Sequence, residues 1–134
     1  MAIRPVAEMV AEAKEKITTW SPAQARKAAD EGNALLVDIR DVRELNRDGR
    51  VPGAFHAPRG MLEFWLDPQS PYHKPALATD KTLVLFCGSA WRSALSVVAL
   101  QDMGVDNIAE IADGFKGWKD AGLPIEVKDE GPLS

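Results

Sequence analysis

The sequence predicts an α/β fold: one domain with a mainly parallel central sheet and helices on both faces. Three observations lead to it. Short apolar strand candidates alternate along the chain with helical segments, the pattern of strand–helix–strand units. Residues 34–39 (ALLVDI) and 82–86 (TLVLF) are almost continuously apolar, as strands covered on both faces must be. The 134 residues suffice for one real core and fit a single domain.

Each element has its own signal. In residues 5–17, Val6, Met9, Val10, Ala13 and Ile17 recur at helical spacing, with Glu8, Glu12, Lys14 and Glu15 facing away. This helix is expected to pack on the domain, or else to form a dimer contact. Residues 18–20 are a short strand candidate. Ser21-Pro22-Ala23-Gln24 then starts a helix, with Ser at the cap, Pro in the first turn and Gln three residues after the Ser; Gly32 stops it. Strand 34–39 follows, then a short charged helix over 41–48 closed by Gly49, and a short strand over 54–56. Residues 61–66 suggest a helical turn, and 67–80, with three prolines, a surface loop. After the strand 82–86 come a short connection, a helix over 91–103 ended by Gly104, a strand over 107–111, and a helix over 115–121 ended by Gly122-Leu123-Pro124. The chain divides into a helical extension (1–17), the domain proper (18–127) and a tail (128–134).

Composition narrows the function. At 46% hydrophobic and 27% charged residues with net charge −4, the chain has the make-up of an ordinary soluble domain and no basic field for nucleic acid. The longest apolar run, residues 94–100, is too short to cross a bilayer. Arg4, Glu8 and Glu12 stand where an export signal needs an apolar core, and the lone Cys fits a reducing compartment, so a cytoplasmic location is expected. One Cys excludes a multi-Cys zinc site, and His56 and His73 are too few and too scattered for a persuasive metal centre.

The candidate site is Phe86-Cys87-Gly88-Ser89-Ala90-Trp91-Arg92-Ser93. A buried strand stops, the single Cys follows at once, and a helix begins within a few residues. This puts the sulfur at the carboxyl edge of a parallel sheet, where such folds bind ligands, and at the amino end of a helix, with its partial positive charge and unpaired N–H groups. Gly88, Ser89 and Ala90 are small enough for their amides to converge on an anion. Arg92 adds a permanent charge. Thiolate rather than thiol is the nucleophile, and these surroundings are expected to hold Cys87 in that form. The competing assignment is a buried structural Cys, which the surrounding pattern disfavours.

The chain resembles the rhodanese-like family from about residue 18 to 125, through four blocks in order. Val37-Asp38-Ile39-Arg40, with Glu44, resembles the family's D-x-R segment. Residues 49–54 (GRVPGA) resemble its G-H-I-P-G-A turn. Cys87 to Arg92, followed by Ser93 and Ala94, resembles its active-site loop. Residues 113–118 (DGFKGW) resemble its G-G-F-x-x-W block. Arg50 replaces the family's His, Asp113 replaces the first Gly of G-G-F, and Ala90 stands where the loop commonly has Gly; Ala resists positive φ.

The resemblance implies a cofactor-free sulfurtransferase. The Cys87 thiolate takes the outer sulfur of a small anionic donor such as thiosulfate, becomes a persulfide, and passes that sulfur to a thiophilic acceptor such as cyanide or a thiol, or to an acceptor protein. Cys87 and Arg92 would be catalytic, with Gly88, Ser89, Ala90, Trp91 and Ser93 around the substrate. Asp38 and Arg40 would support the loops through ion pairing. Arg43, Arg50 and Arg59 could reach the same edge but are expected to be solvated. Trp91 and Trp118 are expected to pack in the core or at the rim.

Two other functions stay open. Cysteine phosphatases and arsenate reductases also hold a thiolate before a helix, but tyrosine phosphatases place five residues between Cys and Arg, against four here, and Ser93 takes their arginine's position. A non-catalytic regulatory or sulfur-carrier module is the third possibility, disfavoured by the presence of both Cys87 and Arg92. Donor, acceptor and oligomeric state are not legible in the chain.

Overall fold

A computed structural model describes residues 1–127; the tail 128–134 lies outside the described residues. The elements are α1 (Val6–Lys16), β1 (Thr19–Trp20), α2 (Pro22–Asp30), β2 (Ala34–Asp38), α3 (Val42–Asp48), β3 (Phe55–His56), α4 (Leu62–Leu66), β4 (Thr82–Phe86), α5 (Arg92–Asp102), β5 (Ile108–Ile111) and α6 (Gly114–Asp120). Each predicted element is present to within about two residues at its ends, and the predicted helix starts hold. The Ser21 side chain accepts from the Gln24 amide at 3.1 Å, capping α2. Asp41 and Glu44 form a reciprocal capping box on α3.

The five strands form one sheet in the order β1-β5-β4-β2-β3, and every pairing is parallel. Among the described residues, antiparallel pairing is confined to an isolated bridge, Arg50 with Glu126, outside the sheet. The chain steps outward from β2 to β3 on one side and from β4 to β5 on the other. The carboxyl ends of β2 and β4 therefore border the crevice where strand order reverses, the usual ligand position in open α/β sheets.

Alternation along β4 divides the core into two. Leu83, Leu85 and Cys87 join Val37, Ile39, Leu62, Val97 and Leu100 on the face covered by α4 and α5. Val84 and Phe86 join Leu36, Ala25, Phe115 and Trp118 on the face covered by α2 and α6. Helix α1 does not touch the sheet through its apolar stripe. Val10 and Ala13 pack on Ala94 of α5, making a further layer outside that helix. This bears out the domain-packing reading of α1. No helix among the described residues is long and apolar enough to cross a membrane.

The segment 67–80 is not purely surface. A single 3₁₀ turn at Pro75–Leu77 turns Leu77 inward, 3% exposed, beneath β2 and β4. The prolines mark the loop correctly, but one apolar side chain in it joins the core beside Val37, Ile39 and Leu62.

Candidate active site

Cys87 follows β4 directly, and α5 begins at Arg92, so the intervening loop is residues 87–91. The sheet and two helices hold this loop by its carbonyls. Cys87 O accepts from the Phe115 amide at 2.7 Å, Gly88 O from the Lys116 amide at 3.1 Å, and Ala90 O from Lys14 Nζ at 2.9 Å. The amides of residues 88–91, by contrast, have no hydrogen-bond partner among the described residues. A loop with its carbonyls tied down and its amides unspent is a ready receptor for negative charge.

Backbone strain accompanies this geometry. Ala90 sits at φ +67° and Asp113 at φ +57°. Both stand where the resemblance has glycine, and both occupy the left-handed region that glycine adopts freely. Asp tolerates it better than Ala because its short polar side chain can bond locally. The start of α6 is pressed so close to the loop that a Cβ on Gly114 would lie 2.4 Å from Cys87 O.

The sulfur itself is covered, with Cys87 only 1% exposed. Its side chain leaves β4 on the α5 face and turns under the first turn of that helix. There Sγ receives the Ser93 amide at 3.4 Å and lies 3.7 Å from Ser93 Oγ. The sequence predicts that the amides of Gly88, Ser89 and Ala90 converge on the sulfur; the amide in bonding geometry with it is that of Ser93. The alternation of β4 decides this, since it places Cys87 on the α5 face, where the Ser93 amide of the first helical turn meets Sγ. Ser89 and Trp91 are exposed and form the rim.

Arg92 is half-buried, and its guanidinium grips the Glu44 carboxylate in a two-pronged pair at 2.8 and 2.9 Å. That hydrogen bond is the main reason Arg92 is held even more firmly in its charged form, with the nearby Cys87 charge adding to the effect. The same bond holds the Glu44 carboxyl below the usual carboxylate range, against a smaller opposing effect of burial. A cleft of about 230 Å³ opens beside the loop, walled by Gly88, Glu44, Phe115, Lys116 and Lys119.

Asp38 and Arg40 form an ion pair at the carboxyl end of β2. Both are 1% exposed, and Arg40 meets Asp38 through Nε at 3.0 Å and Nη2 at 2.7 Å. Arg40 also donates to Gly49 O at 2.9 Å and lies over the Phe115 ring at 4.0 Å, tying β2 to the ends of α3 and α6. His56 Nε2 is 2.7 Å from the Arg40 carbonyl. Arg43 pairs with Asp41, Arg50 is exposed where its backbone bridges Glu126, and Arg59 lies in the groove between α1 and α5. Trp118 is core, its Nε1 donating to Pro124 O at 2.8 Å, whereas Trp91 is 47% exposed and belongs to the rim.

Three residues near the sulfur escape the sequence reading. Glu110 is fully buried and accepts from Ser93 Oγ at 2.7 Å, from Lys14 Nζ at 2.7 Å and from Thr19 Oγ1 at 3.0 Å. Lys14 therefore does not face away as its helical position suggests; it reaches the Glu110 carboxylate on β5 and the Ala90 carbonyl in the cysteine loop. A usable signal did exist, because a carboxylate inside the apolar strand IAEI must find partners.

Comparison with known proteins agrees with this architecture. A solved structure from Rhodopseudomonas palustris, described as a protein of unknown function and possible tyrosine phosphatase, shares 47% identity at a TM-score of 0.87, covering 94% of this chain and 97% of its own. A thiosulfate sulfurtransferase GlpE from Actinobacillus pleuropneumoniae is 30% identical over 113 residues, covering 84% of this chain and 96% of its own length. A Synechocystis protein described as uncharacterised is 29% identical over 116 residues, 87% of this chain, and this chain spans 60% of its length. Residues 21–121 match the model of the rhodanese-like domain. That span holds the whole sheet but for β1, together with the cysteine loop, and the chain belongs to the rhodanese-like domain family.

Proposed function

We propose that the protein is a sulfurtransferase that carries a sulfane sulfur on Cys87. The observation behind this reading is the unspent amide row of residues 88–91 beside a thiol at the carboxyl edge of the sheet. Thiosulfate is the proposed donor, in line with the name of the GlpE relative. The Cys87 thiolate attacks the outer sulfur; the sulfur–sulfur bond of thiosulfate breaks, and sulfite leaves with its electron pair. The persulfide anion then rests against the loop amides, which stabilise it without any metal. A nucleophilic acceptor, cyanide or a thiol, bonds to the outer sulfur, and the Cys87 thiolate departs. Exposed Ser89 and half-buried Gly88, which walls the cleft beside the loop, are the proposed entry for the donor. Arg92, fixed by Glu44, supplies standing positive charge rather than a free clamp. The reducing compartment that suits a lone cysteine is the cytoplasm.

Phosphatase chemistry is the second reading, raised by the description of the Rhodopseudomonas palustris protein. Two features weigh against it. A phosphatase arginine must offer its fork to the phosphate, whereas both prongs of Arg92 engage Glu44. The loop is also one residue shorter than a tyrosine phosphatase loop.

The test is intact-mass analysis after incubation with thiosulfate. The native protein gains one sulfur atom and Cys87→Ser gains none. Absence of the adduct together with turnover of an aryl phosphate would reverse the assignment.

A further inference from the structure

Glu110 has no part in the scheme above, yet it is a fully buried carboxylate joined to the sulfur through Ser93. It is 0% exposed on a strand whose every residue is buried. Its oxygens take hydrogen bonds from three elements: Ser93 of α5, Thr19 of β1 and Lys14 of α1. Lys14 gives a second hydrogen bond to Ala90 O, inside the cysteine loop. Ser93 has a single hydroxyl proton, and the 2.7 Å bond to Glu110 uses it. The Ser93 oxygen therefore turns a lone pair toward Cys87 Sγ at 3.7 Å. Lys14, Glu110, Ser93 and Cys87 form one unbroken chain, and Lys14 lies outside residues 21–121 that match the family model.

Resting on the sulfurtransferase reading, we propose that α1 completes the catalytic apparatus, with Lys14 and Glu110 as positioning residues that set the ionisation of Cys87. A buried carboxylate one hydroxyl away from the sulfur repels a thiolate. Lys14 cancels that charge and, through Ala90 O, anchors the loop at its strained residue. Glu110 fixes Ser93, whose amide is the one that touches the sulfur. The other charged or titratable groups around the cysteine loop are Arg92 of α5 with its partner Glu44 of α3, and Asp38 at the end of β2 with Arg40, whose carbonyl meets His56 of β3. All of these are internally paired, so Lys14 is the cation that answers Glu110.

Alkylation of Cys87 by iodoacetamide, followed against pH, needs no sulfur donor and reads this coupling directly. Lys14→Met leaves the carboxylate uncompensated, which favours the neutral thiol. The profile moves to higher pH, and the rate near neutral pH falls about tenfold. Lys14→Arg keeps the charge and stays near the native profile. The double variant Lys14→Met/Glu110→Gln removes both charges and returns toward it. Lys14 is 37% exposed on its side chain, so the helix should accept Met, and far-ultraviolet circular dichroism checks this for each variant. An unmoved profile in Lys14→Met, or equal displacement of the single and double variants, overturns the proposal. Native protein that takes no sulfur from thiosulfate while the profiles move as stated would refute the sulfurtransferase reading and leave the coupling standing.

Discussion

Gly114→Ala would test how tightly the start of α6 fixes the cysteine loop. Gly114 lies at φ +59°, and an added Cβ would come within 2.4 Å of Cys87 O and 3.1 Å of Ala90 N. Both obstacles are backbone, so no side-chain rotation relieves them. The left-handed conformation costs Ala roughly 1–2 kcal/mol, offset by about 0.4–1 kcal/mol from the stiffer unfolded chain. The clash adds about 1–3 kcal/mol. Loosening the hydrogen bonds from the Phe115 and Lys116 amides to the loop adds of the order of 1 kcal/mol more. The expected loss is about 2–5 kcal/mol, read by urea denaturation at constant m, with sulfur uptake from thiosulfate falling in step. Gly32→Ala is the matched control. Its φ is +79° with nothing within 4 Å of the added Cβ, so it should cost only the backbone part, about 1 kcal/mol or less. If Gly114→Ala proved as mild as Gly32→Ala, the argument that α6 clamps the loop would be refuted.

Asp38→Asn should cost about 3–5 kcal/mol, because it strands the Arg40 charge at 1% exposure; the double variant Asp38→Leu/Arg40→Met should recover much of that in a double-mutant cycle. Ala90→Gly relieves a left-handed alanine and should change stability by less than about 1 kcal/mol. Ala94→Gly, equally buried but inside α5, should lose about 2 kcal/mol by thermal melting, and equal losses at the two positions would mean that Ala90 is unstrained. Glu44 is held below the usual carboxylate range, so its contribution to stability is present above the unfolded-state value and lost as pH falls through the folded one. Native protein and Glu44→Gln should therefore differ most near neutral pH and converge in acid, once pH has fallen through the lowered folded-state value, in denaturation series; a gap that persisted in acid would count against the Arg92 pairing as its source.

The local grammar of this chain carries most of the fold. Apolar runs ending in Asp38 and Phe86, the Ser21 cap and the glycine stops each act within a few residues, so strand, helix and loop identities follow from neighbours alone. The same locality makes the cysteine loop legible, since a strand, a thiol, small residues and a helix are consecutive in the chain. What the sequence could not supply is which distant group answers which. Arg92 pairs with Glu44 across 48 positions, Ser93 bonds Glu110 across 17, and Lys14 reaches Glu110 across 96. A buried charge demands a partner, but amphipathic spacing ranks Lys14 only as a polar residue on an outer face. Only the stacking of α1 over α5, beside the parallel pairing of β4 with β5, brings that cation to the carboxylate behind the sulfur. The side of the loop to which the thiol turns was likewise decided in three dimensions, by which face of β4 the helix α5 covers.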